Sequence, residues 1–158
     1  MTSKLIAKIR TTDEREKLNE ELDLLLESLY REKGAGFEST MFSKIRYWVS
    51  EIIKSEVSNN SSEIEIYLKE IISHMGNLKV LSLKLAFEPT DTSIDKFFAF
   101  VRKNVGEGII LSFEYDPRLL GGAVITYKGE YRDFSLRRLF ENEYKLKEKE
   151  LLKVVYSR

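Results

Sequence analysis

The sequence has no cysteine, two prolines, one histidine and one tryptophan among its 158 residues. Without cysteine the chain can form neither a disulfide nor a zinc site built on thiolates. A single histidine, His74, excludes a multi-histidine metal site and an ordinary histidine-relay triad. Its position near a predicted helix end favours a solvated or capping side chain over a catalytic one.

The chain also lacks an excess of charge and a long apolar run. Lys plus Arg and Asp plus Glu each number 26, so no global field favours nucleic acid or an anionic membrane. No apolar run approaches the ~20 residues of a membrane span, and the apolar core within residues 1–10 is too short for a secretory signal. We therefore expect a soluble protein that stays where it is made.

The first half of the chain shows helical periodicity. A short helix is predicted over residues 3–10, and Thr11-x-x-Glu14 resembles a capping box before a helix that ends at Gly34–Gly36. One further helix is predicted up to about Val57, and another from Ser62 to Met75 after a polar loop. The residues expected on the inner faces of these helices are Ile6, Ile9, Leu18, Leu22, Leu25, Leu29, Phe42, Ile45, Trp48 or Val49, Ile52, Ile53, Ile64, Leu68, Ile71, Ile72 and Met75.

From Leu78 the period changes from 3.6 to 2, which predicts strands. The pattern predicts a strand over residues 81–87, a helix capped by Thr92, and a strand over residues 109–115. Such a strand–helix–strand unit is expected to be a right-handed parallel crossover. A hairpin over residues 123–132 and a final helix follow. The predicted fold class is α+β: an N-terminal helical bundle (1–76), then a small βαββ(β)α domain with a mixed sheet (77–158).

The stretch from residue 109 to residue 135 carries the most specific pattern. Asp116-Pro117 ends a strand, Leu119 and Leu120 are expected to form a small apolar plug, and Gly121-Gly122 predicts either positive φ or a close backbone approach. Lys128-Gly129 predicts a two-residue turn. Asp133 or Ser135 is expected to cap the final helix.

Reactive groups do not converge anywhere in the pattern. Gly121-Gly122 lacks the Lys-Ser/Thr of a phosphate loop, and Asp116 is better placed as a turn acceptor than as a nucleophile. Arg137 and Arg138 fit a solvated helix face better than a phosphate site. We predict no catalytic residue, no metal and no cofactor.

The ordered string Asp116-Pro117-x-Leu119-Leu120-Gly121-Gly122, a strand, a turn and Asp133-x-Ser135-Leu136-Arg137 resembles the C-terminal signature of the δ subunit of F-type ATP synthases. The mitochondrial member of that family is the oligomycin-sensitivity-conferring protein. The resemblance implies a non-catalytic stator subunit of the peripheral stalk, in a complex that couples ion transport to ATP synthesis. Its partners would be α subunits of the catalytic head and b-type stalk subunits, on the inner face of the cell membrane.

The family's N-terminal domain is usually a bundle of about six helices, whereas about 75 residues precede the first strand here, so the resemblance implies a short form. An alternative is the E-type peripheral-stalk subunit of V- and A-type ATPases, but the predicted helix breaks argue against its long N-terminal helix. A second alternative is a small ligand-binding αβ protein that uses the turn from Asp116 to Gly122.

Candidate partner-binding residues come from both halves. The N-terminal helices carry more apolar surface than they can bury alone, which predicts a groove for a partner helix. Leu139 and Phe140, at the start of the last helix, are expected to face inward. The Lys- and Glu-rich part of that helix beyond Glu141 would meet a partner. The candidates are Phe42, Ile45, Trp48, Val49, Ile52, Leu139 and Phe140.

Overall fold

The computed structural model describes residues 3–31, 35–57 and 61–156. Its contacts divide the chain into two compact units, Met1–Lys79 (unit 1) and Val80–Arg158 (unit 2). Helices occupy unit 1 and a mixed sheet with helices occupies unit 2, which confirms the predicted α+β fold class.

The described residues of unit 1 form five helices, with a core formed by one face of each longer helix. Their bounds are α1 Lys4–Ala7, α2 Thr12–Arg31, α3 Ala35–Ser43, α4 Tyr47–Glu56 and α5 Ser61–Gly76. The predicted stripe of α2 is buried at Leu18, Leu22 and Leu25, because side chains three and four residues apart share a helix face. The predicted residues Leu68, Ile71 and Met75 of α5 are buried as well. In α1 the buried residue is Leu5 rather than the predicted Ile6, and Ile9 is buried just beyond the end of the helix.

The prediction of a single helix up to Val57 is wrong, because the helix is interrupted at residues 44–46, which separate α3 from α4. Arg46 is extended, with ψ 136°, and its backbone N–H donates to Glu21 Oε1 at 3.0 Å. Its guanidinium also donates to both carboxylate oxygens of Glu21 at 2.8 Å. Glu21, which lies 25 positions before Arg46 in the chain, thus stabilises a helix break that no local pattern predicts.

Two other helix boundaries in unit 1 differ from prediction. Helix α5 begins at Ser61, one residue before the predicted start at Ser62, and residues 58–60 of the predicted polar loop lie outside the described part. The predicted stop at Gly34 also falls outside it, while Ala35 and Gly36 are helical. Thr11 Oγ1 accepts from Glu14 N–H, but the Glu14 carboxylate accepts from Arg10 instead of completing a capping box.

Unit 2 is a four-stranded sheet in the order β2-β1-β3-β4 with two helices. The elements are β1 Lys79–Leu85, α6 Asp91–Asn104, β2 Ile109–Tyr115, β3 Ala123–Tyr127, β4 Glu130–Asp133 and α7 Leu136–Tyr156. Asp116 N–H donates to the Leu85 carbonyl at 2.8 Å, so β1 and β2 end side by side and run parallel. Strand β3 is antiparallel to β1 and β4.

The core of unit 2 lies between one sheet face and α6. Leu81, Leu83 and Leu85 of β1 pack with Ile109 and Leu111 of β2, and Val101 of α6 closes the cluster. Ile110, on the opposite side of β2, is buried as well, so alternation alone underestimated the burial of this strand. Phe87 lies beyond β1 and is exposed, and Thr90 rather than Thr92 caps α6 by accepting from Ser93 N–H.

The last helix departs most from expectation. Leu139 and Phe140 were predicted to face inward, but their side chains are 57% and 62% exposed. Helix α7 starts on the corner around Pro117–Leu119, and none of its residues 136–148, the part whose side chains are described, belongs to the core cluster of β1, β2 and α6. The inward prediction is therefore wrong.

Candidate functional site

The residues of the Asp116–Gly122 string form a tight corner at the end of β2. Asp116 accepts from the Arg118 backbone N–H at 3.0 Å and from the Arg118 guanidinium at 2.8 and 2.9 Å. These bonds from Arg118 lower the pKa of Asp116 to about 2. Pro117–Leu119 makes one turn of 3₁₀ helix, which buries Leu119 but leaves Leu120 66% exposed at φ 62°. The plug therefore consists of Leu119 alone.

Gly122 lies where the corner touches the start of the last helix. Its φ is +76°, and a Cβ on it would overlap the carbonyl oxygen of Phe134. Two backbone hydrogen bonds flank this contact: Phe134 N–H to the Ala123 carbonyl at 2.9 Å, and Leu136 N–H to the Gly121 carbonyl at 3.0 Å. Both expected reasons for the glycine, positive φ and close approach, hold at this position.

The second part of the string completes the corner. Asp133 Oδ1 accepts from Ser135 N–H at 2.8 Å, and Ser135 Oγ accepts from Arg138 N–H at 3.2 Å. Ser135 is therefore the cap of α7, and its side chain is fully enclosed. Hydrogen bonds from Ser135 hold the pKa of Asp133 below its ordinary value.

The corner offers structural contacts and no reactive centre. Its polar groups are satisfied within the corner itself, and Arg137 pairs with Glu141 at 2.8 Å on an exposed helix face. His74 lies exposed with Nδ1 against the Glu70 carbonyl. Within residues 3–31, 35–57 and 61–156, no group of three or more His, Cys, Asp or Glu could hold a metal ion.

The partner candidates of unit 1 divide into buried and exposed residues. Ile45, Val49 and Ile52 are 8%, 0% and 9% exposed, so they contribute mainly to the core. Phe42 is 74% exposed, and Trp48 is partly buried. Any contact made by these five candidates therefore depends chiefly on Phe42 and Trp48.

Trp48 lies in a shallow groove of about 540 Å³ between α1 and α4, which we name the Trp48 groove. Lys8 Nζ and the Arg46 guanidinium lie 5.1 and 5.0 Å from its ring centroid, within cation–π range. The sequence did not indicate Lys8, because it lies about 40 residues before Trp48 and no periodicity connects the two. Arg46 directly precedes α4, but a charged residue there gives no sign that it contacts the ring. The residues that line the groove are Lys4, Lys8, Trp48, Glu51, Ile52, Lys54 and Ser55.

Helix α1, one wall of this groove, is anchored through Glu56. Its carboxylate accepts from the Lys4 backbone N–H at 3.1 Å and from Ser3 Oγ at 2.8 Å, and the Tyr67 hydroxyl donates to it as well. Burial alone would raise the pKa of Glu56, but hydrogen bonds from Tyr67, Ser3 and Lys4 outweigh it and lower that pKa. These hydrogen bonds to Glu56, rather than the four-residue helix itself, therefore hold the wall of the groove in place.

In unit 2 the start of α7 carries an exposed apolar stripe, which we name the α7 stripe. Leu136, Leu139, Phe140 and Tyr144 are connected by steps of three or four residues and so share one side of the helix, and Leu146 follows Leu139 by seven residues on that side. Arg137, Glu141 and Lys145 lie beside the stripe, whereas Glu143 and Lys147 interrupt it. The α7 stripe consists of Leu136, Leu139, Phe140, Tyr144 and Leu146, which are 41–73% exposed.

No protein-family model matches the chain, and no curated protein matches it. Among solved structures, a chain in the cryo-EM structure of the Toxoplasma gondii mitochondrial ATP synthase hexamer is similar, with 13% sequence identity and a TM-score of 0.36. The match covers 83% of this chain and 86% of that chain. It is a weak structural similarity to a chain of an ATP synthase complex, and it identifies neither a subunit nor a role.

In the described part of the chain, no helix has the length and apolar content that a membrane span requires.

Proposed function

We propose that this chain is a non-catalytic stator subunit of an F-type ATP synthase, of the δ-subunit type, which links the catalytic head to the b-type stalk. The observation that carries the proposal is the Asp116–Gly122 string with its distant partner Asp133-x-Ser135-Leu136. In the folded chain these two segments form one corner, joined through Gly121, Gly122 and Phe134. A shared set of contacts explains why such residues occur together in that order.

The proposal assigns no catalysis to the chain. A general base, a metal cluster or a phosphate loop would be the minimum for nucleotide turnover. The polar groups of the corner instead make capping and turn contacts, such as those of Asp116 with Arg118 and of Ser135 with Arg138. Polar contacts that make the corner rigid are suited to a stator subunit, which must resist torque.

Two separate surfaces support a linking role. The Trp48 groove lies in unit 1 and the α7 stripe in unit 2, and each leaves aromatic area accessible. We assign the groove to the head and the stripe to the stalk, where the complex would hold the chain peripherally at the inner face of the cell membrane. The helical part of unit 1 is interrupted at residues 44–46, between α3 and α4, which disfavours the long N-terminal helix of the E-type stalk subunit.

The test uses the full chain with a purified α₃β₃ head and with a soluble b-type fragment from the same synthase. Trp48→Ala is expected to weaken binding to the head and to leave stalk binding intact, whereas removal of residues 141–158 is expected to do the reverse. Circular dichroism of each variant checks that it is folded. If the wild-type chain binds neither partner, or turns over ATP by itself, the stator proposal is wrong.

A further inference from the structure

Two residues of opposite charge interrupt the α7 stripe near the middle of the helix. Glu143 and Lys147 are exposed and lie four residues apart, on the side of α7 that carries the stripe. Beside the stripe, Arg137 and Glu141 have the same spacing and form an ion pair at 2.8 Å. In the described part of the chain no such pair joins Glu143 to Lys147, so both charges are available to an occupant of the stripe.

Any surface that covers the α7 stripe must also meet these two charges. A charged group that loses its water without gaining a partner is strongly unfavourable. The occupant therefore needs a basic residue opposite Glu143 and an acidic residue opposite Lys147, one helical turn apart and among apolar side chains. Helix α7 itself carries this arrangement when its direction is reversed.

An antiparallel second copy of α7 satisfies both charges in a single register. With the two-fold axis at residue 145, each Glu143 faces Lys147 of the other copy, and each Tyr144 faces Leu146 of the other copy. Residue 136 then lies level with residue 154, so the two helices overlap along residues 136–154. At 1.5 Å per residue this overlap extends for roughly 27 Å, about five helical turns.

A parallel arrangement of the same two helices is disfavoured. It would place Glu143 beside Glu143 and Lys147 beside Lys147, so that like charges meet within an apolar contact. Polar residues within an apolar helix seam are known to fix the register and direction of a helix pair. Glu143 and Lys147 thus select the antiparallel register while the apolar residues of the stripe supply the contact area.

We infer that the occupant of the α7 stripe in the free chain is a second copy of this chain, in a symmetric antiparallel dimer formed through α7. A two-fold interface uses the same surface on both copies, and Glu143 and Lys147 make this surface complementary to itself. The inference goes beyond the proposed function and does not require it. Because we assign the same stripe to the stalk, the dimer is the form of the chain that has not bound a stalk.

The first experiment measures dimerisation of the full chain by sedimentation equilibrium. Glu143→Lys and Lys147→Glu should each weaken dimerisation at least about tenfold, because each creates two like-charge contacts in the dimer. The control variants Glu88→Lys and Lys96→Glu make the same charge changes at exposed positions of unit 2 outside α7. They are expected to dimerise like the wild type, and circular dichroism verifies the fold of every variant.

An equimolar mixture of the Glu143→Lys chain and the Lys147→Glu chain tests the register itself. In a mixed dimer every charge at positions 143 and 147 again faces an opposite charge, so association is expected to recover. Within each variant chain the charges at these two positions remain alike. Recovery on mixing therefore arises only from contacts between two copies.

A wild-type chain that stays monomeric up to about 1 mM overturns the inference and leaves the stator proposal standing, since that proposal depends on binding to the head and the stalk. Dimerisation that neither charge variant weakens also overturns it, because another surface then holds the two copies together. Failure of the mixture to recover association rules out the antiparallel register and has the same consequence.

Discussion

Gly122 is the residue whose replacement tests the corner most directly, and we expect Gly122→Val to destabilise unit 2 strongly. A side chain in the left-handed region costs ~1–2 kcal/mol, and φ at Gly122 is +76°. The added Cβ would also overlap the carbonyl oxygen of Phe134, which is backbone and cannot rotate away.

Relief of this overlap requires residues 134–135 to move. The shift would weaken the hydrogen bonds from Phe134 N–H to Ala123 and from Leu136 N–H to Gly121, at ~1 kcal/mol each. The expected loss in the free energy of unfolding is therefore about 3–4 kcal/mol. That is a large part of the ~5–15 kcal/mol typical of a folded domain.

Gly129→Val supplies the matched control. Gly129 has nearly the same φ, +80°, but its Cβ would meet nothing within 4 Å. The Gly129→Val variant should therefore lose only the conformational part of the free energy of unfolding, ~1–2 kcal/mol. Urea unfolding followed by far-UV circular dichroism gives both values, and the fluorescence of Trp48, the only tryptophan, reports separately on unit 1. Equal losses in the two variants would contradict the close-approach argument.

Three further substitutions, one of them with a control variant, test other contacts by urea unfolding. Glu21→Ala should cost about 2 kcal/mol, because it leaves the Arg46 N–H and guanidinium without their acceptor, whereas Glu51→Ala on the exposed side of α4 should be nearly neutral. Asp116→Asn should lower stability above about pH 4 and lose its effect as the pH falls toward about 2: the depressed pKa of Asp116 means that its carboxylate stabilises the fold only while ionised. A difference between this variant and the wild type that does not change with pH would refute that assignment. Leu120→Gly should raise stability or leave it unchanged, because Leu120 is exposed at φ 62°; a loss above ~1 kcal/mol would show that its side chain has a contact of its own.

Local pattern predicted most of the elements correctly. The stripe of Leu18, Leu22 and Leu25, the strand of Leu81 to Leu85 and the turn at Lys128-Gly129 each depend on periodicity or on a backbone conformation that glycine favours. The turn has φ 50° and 80° at its two residues, as a hairpin of this length requires. Such features are properties of neighbouring residues, so the sequence alone carries them.

The corner could be predicted in part for the same reason. Proline ends β2, and a glycine pair indicates a conformation or an approach that other residues resist. The partner in that approach, Phe134, could not be identified, because it lies 12 positions further along the chain and is brought back by the β3–β4 hairpin.

What the amino-acid sequence determined by itself is the change from helices to strands near Leu78, the α+β class and the glycine corner, since each follows from short-range spacing. The tertiary structure alone decided the break at Arg46, where Glu21 from α2 supplies the acceptor, and the burial of Ile110 on the second side of β2. It also decided that Leu139 and Phe140 are exposed while Val49 is buried. An apolar face is the same in sequence whether the fold covers it or leaves it open, because burial depends on what packs against that face.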